Sequence, residues 1–147
     1  MNLVAEHCLR NDPAETRQLA TWVEDFSRRA NLPDTVRKAV DLALEECVTN
    51  VITYAWNDGR EHWVVIRFKA DPSEGRAEVE IEDDGREFNP LSMPAVDVGQ
   101  PLENRPTGGL GIHMVRQLMD DVAYRREGGR NLLTLTKRYA PGFIPGG

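Results

Sequence analysis

Residues 76–83 alternate strictly, with Ala77, Val79 and Ile81 interleaved between Glu78, Glu80 and Glu82. Successive side chains of a strand point to opposite faces, so this stretch presents one apolar face and one acidic face. Such a strand belongs in a sheet covered on one side only, which is the habit of antiparallel sheets. In the stretch before it, Val64, Ile66 and Phe68 alternate with Trp63, Val65 and Arg67, and Asp71-Pro72-Ser73-Glu74-Gly75 makes the turn between the two. The layer that covers the apolar face has to come from elsewhere in the chain.

Two helices supply it. Asp12-Pro13-Ala14-Glu15 reads as a helix start: Asp12 as the cap, Pro13 at the first helical position, and Glu15 where a capping box needs it. Leu19, Trp22, Val23, Phe26 and Ala30 form its apolar stripe, and Asn31-Leu32-Pro33 stops it. A second helix spans about residues 34–56, with Val36, Val40, Leu44, Val48, Val51 and Ala55 on one side and Asn57-Asp58-Gly59 at its end. Residues 2–10 suggest a strand before both helices. Residues 85–107 carry four prolines (Pro90, Pro94, Pro101 and Pro106) with little periodicity, and a loop of that length is usually functional or mobile. A third helix is expected from Gly109 to about Asp120, then two strands flanking the hairpin turn Gly128-Gly129, then a frayed tail over 141–147. The expected architecture is an α/β two-layer sandwich, a mostly antiparallel sheet with helices on one face, in a single domain of 1–147. The order is not a repeating βαβ, which disfavours a doubly wound fold.

With 147 residues, 40% of them hydrophobic and 29% charged, the chain can bury a real core. No apolar run is long enough to span a bilayer, and the N-terminus lacks the pattern of a signal peptide. Two distant cysteines, Cys8 and Cys47, give neither a disulfide framework nor a zinc site, so a reducing cytoplasm is the simplest compartment. A net charge of −6 makes nucleic acid a poor partner.

Three short constellations carry chemistry. The first is Glu46-Cys47-Val48-Thr49-Asn50 on the second helix. At about 100° per residue, Glu46 and Asn50 lie about 40° apart on one face, whereas Glu45 points about 140° away from Asn50. A carboxamide oxygen can hold a hard cation such as magnesium, and a neighbouring carboxylate can take a proton or position a water. Taken alone, the pair reads more readily as a solvated helix flank. The second is Asp83-Asp84-Gly85 at a strand end. Asp83 keeps the phase of Ala77, Val79 and Ile81 and should face the helices, where a carboxylate needs hydrogen-bond donors, such as a purine amino group. Gly85 lets the backbone turn and approach a ring closely. Alone, an Asp-Gly turn is ordinary. The third is Thr107-Gly108-Gly109-Leu110-Gly111, leading into Ile112, Val115, Leu118 and Met119. Glycines at a helix start expose N–H groups to an anion, as in a phosphate cradle. No Lys-Ser or Lys-Thr follows, so this is not a Walker A loop.

In this order the three segments resemble the N, G1 and G2 boxes of the GHKL ATPases, the group of gyrase, histidine kinases and mismatch-repair ATPases. Glu46-Cys-Val-Thr-Asn50 and the run from Gly108 to Val122 look like those of the small bacterial anti-sigma-factor serine kinases, and the resemblance extends from the N-terminal strand to Arg138. It implies that Asn50 binds Mg²⁺ bridging the phosphates of ATP, that Glu46 is the general base for a serine hydroxyl of an antagonist protein, and that Asp83 accepts from the adenine amino group. Residues 107–111 would form the phosphate-binding helix start, residues 89–107 the ATP lid, and Arg105 in that lid would reach the γ-phosphate. Glu87 stands where the G1 pattern has its second glycine. Leu132, Leu133 and Thr134 stand where a late-strand threonine often meets adenine. The expected function is an ATP-dependent protein serine kinase that also sequesters a sigma factor, with a homodimer as a compatible assembly. The alternative is a nucleotide-binding switch that acts by partner binding alone. A histidine-kinase fragment is disfavoured because no helical hairpin with an acceptor histidine precedes the domain, and a non-nucleotide scaffold would leave all three boxes without a purpose.

Overall fold

The computed structural model describes residues 2–92 and 109–141. The chain forms β1 (Leu3–Arg10), α1 (Arg17–Arg29), α2 (Asp34–Tyr54), β2 (Trp63–Asp71), β3 (Arg76–Asp83), α3 (Gly109–Leu118), β4 (Asp121–Glu127) and β5 (Arg130–Arg138). The strands make one antiparallel sheet in the order β1-β2-β3-β5-β4. The route from β3 to the edge strand β4 passes through α3, and the β4–β5 hairpin then brings β5 back beside β3. Gly128 and Gly129 turn that hairpin with φ of 58° and 77°, the left-handed pair that a two-residue hairpin turn requires.

All three helices lie on one face. Ile66, Phe68, Val79 and Ile81 meet Leu19, Val23 and Phe26 of α1 and Val40, Leu44 and Val48 of α2 in a single buried cluster. Phe26 and Phe68 set their rings 4.4 Å apart between helix and sheet. The other face is open and charged. Glu80 and Glu82 stand in a row on β3, and Arg67 from β2 reaches both, at 3.0 and 3.2 Å. Arg130 adds a contact to Glu82 at 2.8 Å. The acidic face of the alternating strand is thus neutralised across the sheet by arginines on its neighbours.

Three details differ from the sequence expectation. The segment after Asp12 opens with a 3-10 turn (Pro13–Thr16) rather than an α-helical one. Asp12 does cap it, accepting from the Ala14 N–H at 3.0 Å. Glu15 closes no capping box; its carboxylate accepts from Arg10 Nε at 3.1 Å and Gln18 Nε2 at 2.7 Å, and so ties β1 to α1. The second helix ends at Tyr54, before Asn57-Asp58-Gly59. Its last carbonyls are taken by the loop after β3, where the Arg86 N–H donates to Ala55 O at 2.9 Å and Arg86 Nε to Tyr54 O at 2.7 Å. A tertiary partner, not a local glycine, stops this helix.

Candidate functional site

β3 ends where the polar flank of α2 passes over the sheet. Asp83 carries the inward phase of the strand and is 4% exposed, while Asp84 faces solvent. A buried carboxylate needs donors. Asp83 Oδ1 accepts from the Gly85 N–H at 2.9 Å and from Asn131 Nδ2 at 3.0 Å. Burial pushes the Asp83 carboxyl above its ordinary value, the Asn131 and Gly85 bonds pull it back, Asp84 pushes it up, and Arg126 draws it down. Gly85 is required by packing: a Cβ there would lie 2.5 Å from both the Cβ and the carbonyl oxygen of Ala55. The strand end is therefore clamped directly onto the end of α2.

On α2, Glu45 is exposed, Glu46 is half-buried and Asn50 is 8% exposed. The helical phase thus places Glu46 and Asn50 on the same inward flank. Glu46 lies against Gly111 in the first turns of α3. A Cβ on Gly111 would collide with Glu46 Oε1 and carboxyl carbon, and would lie 2.7 Å from Glu46 Cγ. Only a glycine lets the carboxylate and this helix start approach so closely. Gly109 and Leu110 form the backbone of the opening turn. Arg105, Thr107 and Gly108, with the expected lid beyond Ser92, lie outside the described residues.

Between Asn50 of α2 and Asp83 is an apolar cavity lined by Cys47, Val51, Ile81 and Leu133, with Phe88 and Pro90 of the loop after β3. Its envelope, open mouth included, is about 440 Å³, within the usual span of small-molecule sites. Its enclosed water-sized space is about 30 Å³, with Phe88 and Pro90 on its wall. Burial pushes the Cys47 thiol up to about 12, which makes it an apolar wall rather than a nucleophile. Glu87, at the position of the missing glycine, is exposed; its neighbour Phe88 lines the cavity. Arg116 of α3 donates to Leu91 O at 2.8 Å and ties the Pro90–Ser92 turn to that helix.

Sequence reasoning missed Asn131. It sits opposite Asp83 in the β3–β5 register and is 6% exposed, one residue before the late-strand positions considered above. Its carboxamide joins Asp83, the 86–88 segment and β4, with the Tyr124 hydroxyl donating to its oxygen at 2.6 Å. In sequence it follows Gly128-Gly129-Arg130 and reads as the polar end of a turn; only the register shows that it is inside.

A sequence model of the histidine kinase-like ATPase domain matches residues 9–137. The serine/threonine-protein kinase BtrW of Bordetella bronchiseptica is 26% identical over 120 residues, covering 82% of this chain and 83% of its own. The serine-protein kinase RsbW of Bacillus mycoides is 29% identical over 97 residues, covering 63% of this chain and 58% of its own, so the match spans less than two thirds of that relative. Among solved structures, the RsbU and RsbW domains of Rv1364c from Mycobacterium tuberculosis superpose with a TM-score of 0.66 at 14% identity, over 92% of this chain and 32% of that one, a likeness of fold. Among the described residues no helix is long and apolar enough to cross a membrane.

The two glycine contacts should separate in a melting experiment. Gly85→Ala meets backbone and should lose about 1–3 kcal/mol of stability. Gly111→Ala meets only the end of a flexible carboxylate side chain, and should melt near the wild type while displacing Glu46.

Proposed function

The chain belongs to the histidine kinase-like ATPase domain family, and from that premise we propose that it is an ATP-dependent protein serine kinase acting on an antagonist protein in a partner-switching pathway. The single observation that carries this reading is the contact of the Glu46 carboxylate with Gly111 at the start of α3. It sets a proton acceptor beside the helix start at which phosphates are favoured by free N–H groups and the helix dipole. Asn50 follows one turn along α2, and Asp83 stands across the cavity from it. In this reading Asn50 and Asp83, which line one cavity, serve the metal and the purine, and Glu46 on the same flank of α2 serves the phosphate end. The kinase names of the relatives support the reaction class, and the resemblance to anti-sigma-factor kinases supports a sigma factor as the second partner, in the cytoplasm.

ATP supplies the γ-phosphoryl group, with a magnesium ion to neutralise the phosphate oxygens. Magnesium keeps most of its waters and needs only one or two protein oxygens, which one carboxamide can satisfy. Asn50 would provide it: its side chain makes no hydrogen bond to another described residue. The Asp83 carboxylate accepts the adenine amino group. Glu46 takes the hydroxyl proton as the serine oxygen bonds to the γ-phosphorus. The bond from that phosphorus to its bridging oxygen breaks, and ADP departs with the electron pair. These groups position and neutralise, which is most of what phosphoryl transfer requires.

Incubation with radiolabelled ATP and the antagonist should yield phosphoserine. Glu46→Gln should lower the rate by roughly 10²-fold or more while leaving ATP affinity within a few-fold; labelling at the wild-type rate would refute the base assignment. Asp83→Asn should separate stability from function. A carboxyl whose value is raised by folding contributes stability that is fully present below its unfolded value and is lost as pH rises through the folded one. Ionisation of Asp83 is therefore a cost to the fold, and asparagine keeps the Oδ1 acceptor without the charge. The variant should melt at or above the wild-type temperature at pH 7 and lose its advantage at pH 4, while binding ATP much more weakly by calorimetry.

A further inference from the structure

Asn131 makes five hydrogen bonds with one carboxamide. Nδ2 donates to Asp83 Oδ1 at 3.0 Å and to Arg86 O at 2.8 Å. Oδ1 accepts from the Tyr124 hydroxyl at 2.6 Å, from Arg126 at 3.1 Å and from the Phe88 N–H at 3.3 Å. The orientation of the amide is thereby determined by its surroundings. A flip would set oxygen against two acceptors and the NH₂ group against three donors. Both amide hydrogens are committed within the protein, so Asn131 has no donor left for a ligand although it lines the cavity. Both described hydrogen bonds to Asp83 fall on the same oxygen, Oδ1.

We propose that Asn131 is the positioning residue of the purine subsite: it holds Asp83 by Oδ1 so that Oδ2 faces the cavity as an acceptor, and thereby selects a base that carries an exocyclic amino group. The proposal rests on the nucleotide-binding reading above and adds the element that sets base choice. Asn131 makes no contact with the base; it acts through Asp83. It also joins the reading carboxylate to the loop carrying Phe88, because the Phe88 N–H and the Arg86 carbonyl bind the same side chain. Removing the side chain leaves Asp83 with the Gly85 N–H alone. The groups around Asp83 are then Asp84 beside it on its own strand end, Arg126 from β4, and the neutral Tyr124 hydroxyl, Cys47 thiol and Asn50 carboxamide. A carboxyl stripped of a donor in that setting protonates more readily. Once protonated, it donates to a 6-oxo group as well as it once accepted from a 6-amino group.

The test compares ATP with inosine triphosphate, which carries oxygen in place of the 6-amino group, by calorimetry across pH on the full chain. The wild type should prefer ATP. Asn131→Ala should weaken ATP by roughly tenfold, the loss of one charge-assisted bond. It should weaken inosine triphosphate much less, and should move the acid limb of ATP binding to higher pH. Tyr124→Phe, which leaves Asn131 Oδ1 two of its three donors, should retain the wild-type ratio. If the alanine variant does not fold, Asn131→Asp preserves the shape and places an acceptor against Asp83; it should narrow the ratio and raise the acid limb further. An equal loss for both nucleotides with an unmoved acid limb would mean a merely structural asparagine and would overturn the proposal. Failure of the wild type to bind ATP would overturn the functional reading and this proposal together.

Discussion

Much of this molecule is arranged around a carboxylate that is buried without being neutralised by an ion pair. Asp83 ends a strand on the helix-facing side, where an ionised group is costly unless donors surround it. One donor comes from the backbone two residues on, at Gly85, and the other from Asn131 on the neighbouring strand. Both depend on long-range structure. Gly85 reaches its place only because no Cβ separates it from Ala55 of α2, and Asn131 faces Asp83 only in the observed β3–β5 register. A slip of that register by one residue would turn Asn131 to the open face and leave the carboxylate without its side-chain partner.

The same economy governs α2. It is core along one side, through Val36, Val40, Leu44 and Val48, and polar along the adjacent flank, through Glu46 and Asn50. α3 lies against this flank through Gly111, whose missing side chain leaves room for the Glu46 carboxylate. The loop between β3 and α3 is tied at its first residues to α2 through Arg86, to β5 through Asn131 and to α3 through Arg116. The cavity is thus bordered by a segment whose backbone is held on three sides, with Phe88 on its wall.

The layers and the inward placement of Glu46, Asn50 and Asp83 were legible in the sequence for one reason: their information is local and periodic. Strict alternation over 76–83 fixes which side of β3 is buried, and it distinguishes Asp83 from Asp84. Helical phase distinguishes Glu46 from Glu45 in the same way. What the sequence hid is tertiary. Glu15 sits in a capping-box position, but Arg10 on β1 competes for its carboxylate. Asn57-Asp58-Gly59 looks like a helix stop, but Arg86 ends α2 earlier. The substitution at Glu87 draws attention in the sequence, yet the residue of that segment that lines the cavity is its neighbour Phe88. Asn131 carries no local signal, because an asparagine after two glycines and an arginine is ordinary turn chemistry.

The central claim is that the cavity between α2 and the end of β3 receives a purine nucleotide through Asp83. Amide shift mapping on isotopically labelled protein tests it most directly. Addition of ATP with magnesium should shift the backbone amides of Asp83, Gly85, Phe88 and Gly111 and the side-chain amide of Asn131, with the open face of the sheet around Arg67 and Glu80 unchanged. Shifts confined to that open face, or none at saturating nucleotide, would contradict the account.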